Sequence, residues 1–87
     1  AINDLNSLLN KDQDELKMIR ITVQEDSPLL KKKLKEVNLP LESVLVTILR
    51  GDTPIVPRGN TRILPGDLIV ALTKPEFEDE LLTIFNN

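Results

Sequence analysis

The chain of 87 residues has no cysteine, histidine, tryptophan or tyrosine, and only two phenylalanines. Without cysteine there is no disulfide framework and no thiolate metal site. Without histidine the commonest metal ligand and the commonest general base are missing. Few aromatic rings and a net charge of −3 argue against binding to nucleic acid, which needs stacking platforms and a basic face. The composition therefore predicts no enzyme, no cofactor and no nucleic-acid partner.

The length favours one small domain preceded by a short extra segment. No apolar run reaches the roughly 20 residues of a transmembrane helix, and no signal peptide is evident. Because the chain begins at Ala1 rather than Met, we expect a piece of a longer protein. Residues 1–17 are predicted to be a lead-in helix or linker, with apolar side chains at helical spacing before the polar KDQDE. Residues 18–87 are predicted to be the folded domain.

The first half of this domain reads as a strand followed by a helix. Apolar and polar residues alternate over residues 18–24, which predicts a half-buried strand. Ser27 is a good N-cap and Pro28 suits the first helical position. Apolar residues then recur at i, i+4 and i+7, so a helix is predicted over residues 27–38.

The second half predicts three strands and a final helix. Residues 44–49 and 68–73 are apolar on both faces, which is typical of strands buried inside a sheet. Residues 54–56 lie between two prolines, so a short edge strand is predicted there. Pro75 is expected to open the last helix. The order β-α-β-β-β-α predicts an α+β fold: a two-layer domain with helices packed on a small sheet.

The stretch RGDTPIVPRGNTR at residues 50–62 is the least ordinary part of the chain. Its glycines fit neither the dinucleotide-binding nor the P-loop spacing. The tripeptide RGD is explained sufficiently by a strand-ending Arg50 and a Gly51-Asp52 hairpin turn. An arginine at the end of an apolar strand can fork onto a carboxylate or a phosphate, or form only a surface ion pair. These alternatives stay open for Arg50.

Other charged clusters have simpler interpretations. The run Lys31, Lys32 and Lys33 is interpreted as a solvated helix face. Adjacent acids such as Glu25 and Asp26 are interpreted as solvating groups. A hard-cation site at these two carboxylates is an open alternative, although their spacing matches no known ligand pattern.

The ordered motifs from residue 18 to residue 85 resemble a TrkA-C domain, also called the C-terminal RCK domain. In that family a strand and an acidic loop with Ser-Pro-Leu precede a buried strand ending in Arg-Gly. Each piece alone is weak, but the ordered set is fairly specific. The matching pieces here are EDSPLLKKKLKEVNLP, Arg50-Gly51, Ile55-Val56-Pro57, Gly59-Asn60-Thr61 and Pro65-Gly66-Asp67.

The resemblance implies regulation rather than catalysis. Such domains are cytoplasmic parts of inner (plasma) membrane proteins: potassium channels and uptake systems, cation/proton antiporters and ClC-type chloride channels. They usually form homodimers that sense a small ligand, which in some bacterial members is cyclic di-AMP at the dimer interface. By position, the residues expected to bind such a ligand here are Arg50, Ile55, Val56, Pro57 and Arg58.

Three hypotheses follow from these observations. The first is a dimeric domain that senses a ligand such as a nucleotide and regulates the channel or transporter to which it is attached. The second is a purely structural dimerisation domain with no ligand. The third, a small enzyme or metal-binding domain, is disfavoured by the missing histidine and cysteine.

Overall fold

The computed structural model describes residues 15–86. The predicted lead-in helix or linker of residues 1–17 lies almost wholly outside the described residues. No helix within them is long and apolar enough to cross a bilayer. The elements are β1 (Lys17–Thr22), β2 (Ser43–Arg50), β3 (Thr53–Ile55), β4 (Leu68–Thr73) and α1 (Glu78–Asn86), with 3-10 helices at Leu34–Glu36 and Pro75–Phe77.

The four strands form one antiparallel sheet in the order β1-β4-β2-β3. This confirms the α+β class. It also confirms the edge position of β3. Proline has no N–H, and at an edge no neighbouring strand requires one on the outer side. The predicted final helix is present and begins at Pro75 with a 3-10 turn before α1.

One face of the sheet is buried. In register, Ile21 of β1 lies beside Ile69 of β4, which lies beside Ile48 of β2. These three side chains pack with Leu81 and Phe85 of α1 in a fully or nearly fully buried core. Because successive strand residues point to opposite faces, the alternate positions form a second face, here called the outer face. It carries Met18, Arg20, Thr22, Val44, Thr47, Leu49, Leu68, Val70 and Leu72.

The helix predicted over residues 27–38 is wrong. Only the single 3-10 turn Leu34–Glu36 forms, and Lys31 has φ +68°, which no α-helix accommodates. The apolar residues of the segment still pack on the core, but its backbone forms only short i to i+3 turns of its own and pairs otherwise with residues 59–63. These bonds run from Lys31 N to Ile63 O (2.9 Å), Leu34 N to Thr61 O (2.9 Å) and Lys35 N to Gly59 O (3.0 Å).

The predicted N-cap role of Ser27 is also wrong. Its buried hydroxyl donates to the carbonyl oxygen of Phe85 and accepts from the N–H of Leu29. It therefore satisfies a carbonyl at the end of α1, where helical carbonyls have no partner of their own. Asn86 adds a second tie, because its Nδ2 donates to Thr22 O at 2.6 Å and its Oδ1 accepts from Gln24 N at 3.0 Å.

Candidate functional site

The candidate site is the hairpin that joins β2 to β3. Arg50 faces Thr53 across the ladder, so the loop is the two residues Gly51 and Asp52. Gly51 has φ +62° whereas Asp52 does not have a positive φ. This is the pattern of a type II′ turn, which takes glycine at its first central position. The hairpin turn predicted from the sequence is confirmed.

Arg50 binds a buried carboxylate at the base of this hairpin. Its Nε and Nη2 each lie 2.9 Å from an oxygen of Asp67, and Nη2 also donates to Arg62 O at 2.9 Å. The Asp67 side chain is only 1% exposed, whereas that of Arg50 is 36% exposed. Asp67 follows Gly66, whose φ of +83° fits the predicted type II turn. Of the open alternatives for Arg50, the described residues select a forked pair with a carboxylate.

The ionisation of Asp67 follows from its surroundings. Burial alone would raise its pKa, because it disfavours the charged form. The hydrogen bonds from Arg50 and from the N–H of Leu64 outweigh burial and hold the pKa below the ordinary value of 3.8. The same pair raises the pKa of Arg50. The pair is therefore an ionised clip between β2 and the turn before β4.

The residues predicted to bind a ligand differ in their surroundings. Arg50 lies with its guanidinium engaged, and Ile55 is half-buried and packs against the core. Val56 is 65% exposed just beyond β3. Pro57 is half-buried and Arg58 is exposed. Val56 and Arg58 are therefore exposed and Pro57 is half-buried, whereas Arg50 and Ile55 are engaged in contacts within the domain.

The outer face leaves apolar side chains uncovered by residues 15–86. Val44 is 54% exposed and Met18 is 50% exposed, and Val46 projects at an irregularity in the pairing of β2 with β4. The prediction that β2 is buried on both faces is therefore wrong for the described part of the chain. A groove of about 270 Å³ lies at one end of this face, lined by Leu16, Leu41, Glu42, Ser43, Val44, Leu72 and Lys74.

Sequence reasoning missed two parts of this arrangement. It places Asp67 only in a turn, although a Pro-Gly-Asp turn before an apolar strand, together with a lone Arg50 ending another, is a usable signal for the pair. It also leaves Leu41 in a loop, with no sign that this side chain lines a groove. Glu25 and Asp26 lie exposed in a turn, and across residues 15–86 no three acidic side chains converge on a metal site.

Comparison with known proteins gives consistent matches. The family model of the TrkA-C domain matches residues 18–86. The Trk system potassium uptake protein TrkA of Mycobacterium tuberculosis, in strains CDC 1551 / Oshkosh and ATCC 25618 / H37Rv, is 32% identical over 81 residues. That match covers 93% of this chain but only 37% of the relative. A solved structure described as an RCK domain with cda has a TM-score of 0.70 at 23% identity, covering 79% of this chain and 97% of that one.

Proposed function

The chain belongs to the TrkA-C domain family, and from that premise we propose that it is a cytoplasmic ligand-sensing and dimerisation domain of an inner-membrane ion channel or transporter. Its relation to a potassium uptake protein favours potassium as the transported ion. The family resemblance also includes cation/proton and ClC-type chloride transporters. The chain spans 37% of the curated relative, so the activity of the whole parent protein is part of the proposal.

The observation that carries dimerisation is the outer face. A sheet face with Met18 and Val44 about half exposed is costly in water, since each exposed apolar square ångström forgoes roughly 25 cal/mol. A second copy placed against it would extend the apolar contact through the groove at Leu41 and Leu72. Stable homodimers commonly bury apolar surface of this kind.

The ligand would bind beside the hairpin surface of Val56, Pro57 and Arg58. Aliphatic and proline side chains can enclose a base without aromatic stacking, and the cation of Arg58 can meet a phosphate. The similar solved RCK domain is described with cda, so this fold accommodates a ligand in at least one protein. At 23% identity that likeness concerns the fold alone, and cyclic di-AMP is the first ligand to test because of the family resemblance.

Regulation would work by a shift between two arrangements of the dimer. A ligand held by both hairpins can change the balance only by the difference in its affinity for the two arrangements. The Arg50–Asp67 ion pair joins β2 to the turn before β4. It would therefore keep the hairpin fixed relative to the sheet, so that a movement of the hairpin moves the whole domain.

Dimerisation is tested by sedimentation equilibrium of the wild-type chain and of Val44→Glu. We expect a wild-type dimer and a monomeric variant, because the charge would lie inside the contact. Leu82→Glu is the matched control, since Leu82 is an exposed leucine of α1 rather than of the sheet. A wild-type monomer at millimolar concentration, or equal effects of both substitutions, would contradict the outer-face dimer.

Ligand sensing is tested by calorimetry with cyclic di-AMP and with ATP. We expect one of them to bind, and Arg58→Gln to weaken it about tenfold, as for loss of a charge-assisted hydrogen bond. Lys17→Gln removes one charge elsewhere and should leave the affinity unchanged. If neither nucleotide binds an intact dimer, the alternative of a purely structural dimerisation domain is favoured instead.

A further inference from the structure

A second surface lies next to the proposed ligand site, because Arg50 Nη2 donates to Arg62 O and Lys35 N donates to the carbonyl of Gly59, the residue after Arg58. It is a groove of about 620 Å³ whose charged lining consists of Lys31, Lys32, Lys33, Lys35, Glu36 and Arg62. We call it the lysine groove. The interpretation of the lysine run as a solvated helix face loses its basis, because this segment forms no α-helix.

The lysine groove concentrates positive charge on an acidic chain. Its lining has five cations and one carboxylate, whereas the whole chain carries −3. The Oε1 of Glu36 already accepts from the backbone N–H of Lys33 at 2.9 Å. Among residues 15–86, ion pairs within 4 Å involve the cations Lys17, Arg50 and Lys74, none of which lines this groove. Like charges held together at this density favour a counter-anion.

The backbone brings these residues together. Lys31 has φ +68°, a left-handed conformation that is unfavourable for a residue with a side chain. Arg62 Nη1 donates to Lys31 O at 2.5 Å, and the Lys33–Arg62 bridge ties the segment to the opposite wall. Unusual backbone conformations of this kind concentrate at sites that hold ligands. A simply solvated lysine run would need no such arrangement.

We propose that the lysine groove binds a small soluble anion that carries two or more phosphate groups. Lysine ammonium groups are compact point charges that suit phosphate oxygens. The volume lies within the usual range of roughly 300–1,000 Å³ for small-molecule sites. The lining includes no aromatic ring, so recognition rests on the phosphates. A membrane surface with anionic headgroups is the competing occupant that the test separates from a soluble anion.

The test is a titration of the full chain with tripolyphosphate, followed by calorimetry and by backbone amide NMR at low salt. We expect saturable binding with shifts at residues 31–36 and 59–62. The double variant Lys32→Gln/Lys35→Gln should weaken the affinity at least tenfold. Neither side chain donates a hydrogen bond within the described residues, so the fold should persist, which thermal melting checks.

The matched control is Lys17→Gln/Lys74→Gln, which removes the same charge from surface ion pairs of little energetic value. It should leave tripolyphosphate affinity unchanged. Equal weakening by both double variants would overturn the proposal, because it would indicate only general attraction to positive charge. Binding to vesicles of one part phosphatidylglycerol and three parts phosphatidylcholine without binding to tripolyphosphate would also overturn it. Dimerisation and nucleotide binding at the hairpin are measured in separate experiments, so a negative result in either does not decide this one.

Discussion

The guanidinium of Arg50 is engaged by other groups of the protein. Its Nε and Nη2 serve Asp67, and Nη2 also serves Arg62 O. Because Asp67 is 1% exposed, removing its partner would leave a buried charge unpaired, which is strongly unfavourable. Arg50 is therefore a poor first choice for a test of ligand binding, since its removal would weaken the fold as well.

Asp67→Asn should destabilise the domain by about 2 kcal/mol, the value of hydrogen bonds to charged groups. It should also change the dependence of stability on pH. The folded pKa of Asp67 lies below its ordinary value of 3.8, so the unfolded chain binds more protons in this range. In the wild type this stabilisation is complete above about pH 5 and is lost as the pH falls through the folded pKa.

Urea unfolding between pH 2 and pH 7 measures both effects. The variant should lose the part of the acid slope that Asp67 contributes. Asp26→Asn, an exposed turn substitution, should change the free energy of unfolding by less than about 0.5 kcal/mol. An Asp67→Asn curve that runs parallel to the wild type at all pH values would contradict the assigned ionisation.

At the scale of elements, strands were more predictable than the first helix. β4 was predicted at its observed bounds and β3 within one residue, because apolar runs and flanking prolines encode them locally. The segment from Ser27 to residue 38 has helical spacing, yet it forms only short turns and takes its long-range backbone partners from residues 59–63. Such partners are distant in sequence, so local propensity cannot reveal them. The Pro-Gly-Asp turn is a local signal for Asp67, but its pairing with Arg50, 17 residues away, is again a contact that local propensity does not reveal.

Lys31→Gly tests this account of the first segment. Glycine adopts a positive φ without steric cost, so the variant should gain about 1 kcal/mol of stability. Lys32→Gly lies beside it without a positive φ and should instead lose stability through the flexibility of the unfolded chain. Equilibrium urea unfolding compares the two. A loss at Lys31→Gly as large as at Lys32→Gly would mean that Lys31 bears no strain.

At the scale of the whole molecule, the described residues leave one sheet face covered and the other largely apolar and open. If a second copy covers the outer face, folding and association are linked, and stability must depend on concentration. The melting temperature should rise about 4 °C for each tenfold increase in concentration of the wild-type chain. Val44→Glu should melt at one temperature throughout. Differential scanning calorimetry over two decades of concentration would show a constant wild-type value if the chain acts alone.

The side chain of Asn86 protects the edge strand β1 from pairing with a strand of another molecule. It donates to Thr22 O and accepts from Gln24 N, which are the bonds that a neighbouring strand would make. The last residue of α1 thus takes the place of a neighbouring strand at one end of β1, while Pro54 offers no N–H on the outer edge of β3. Exposed strand edges are templates for cross-β aggregation. Both features disfavour association through the edges of the sheet.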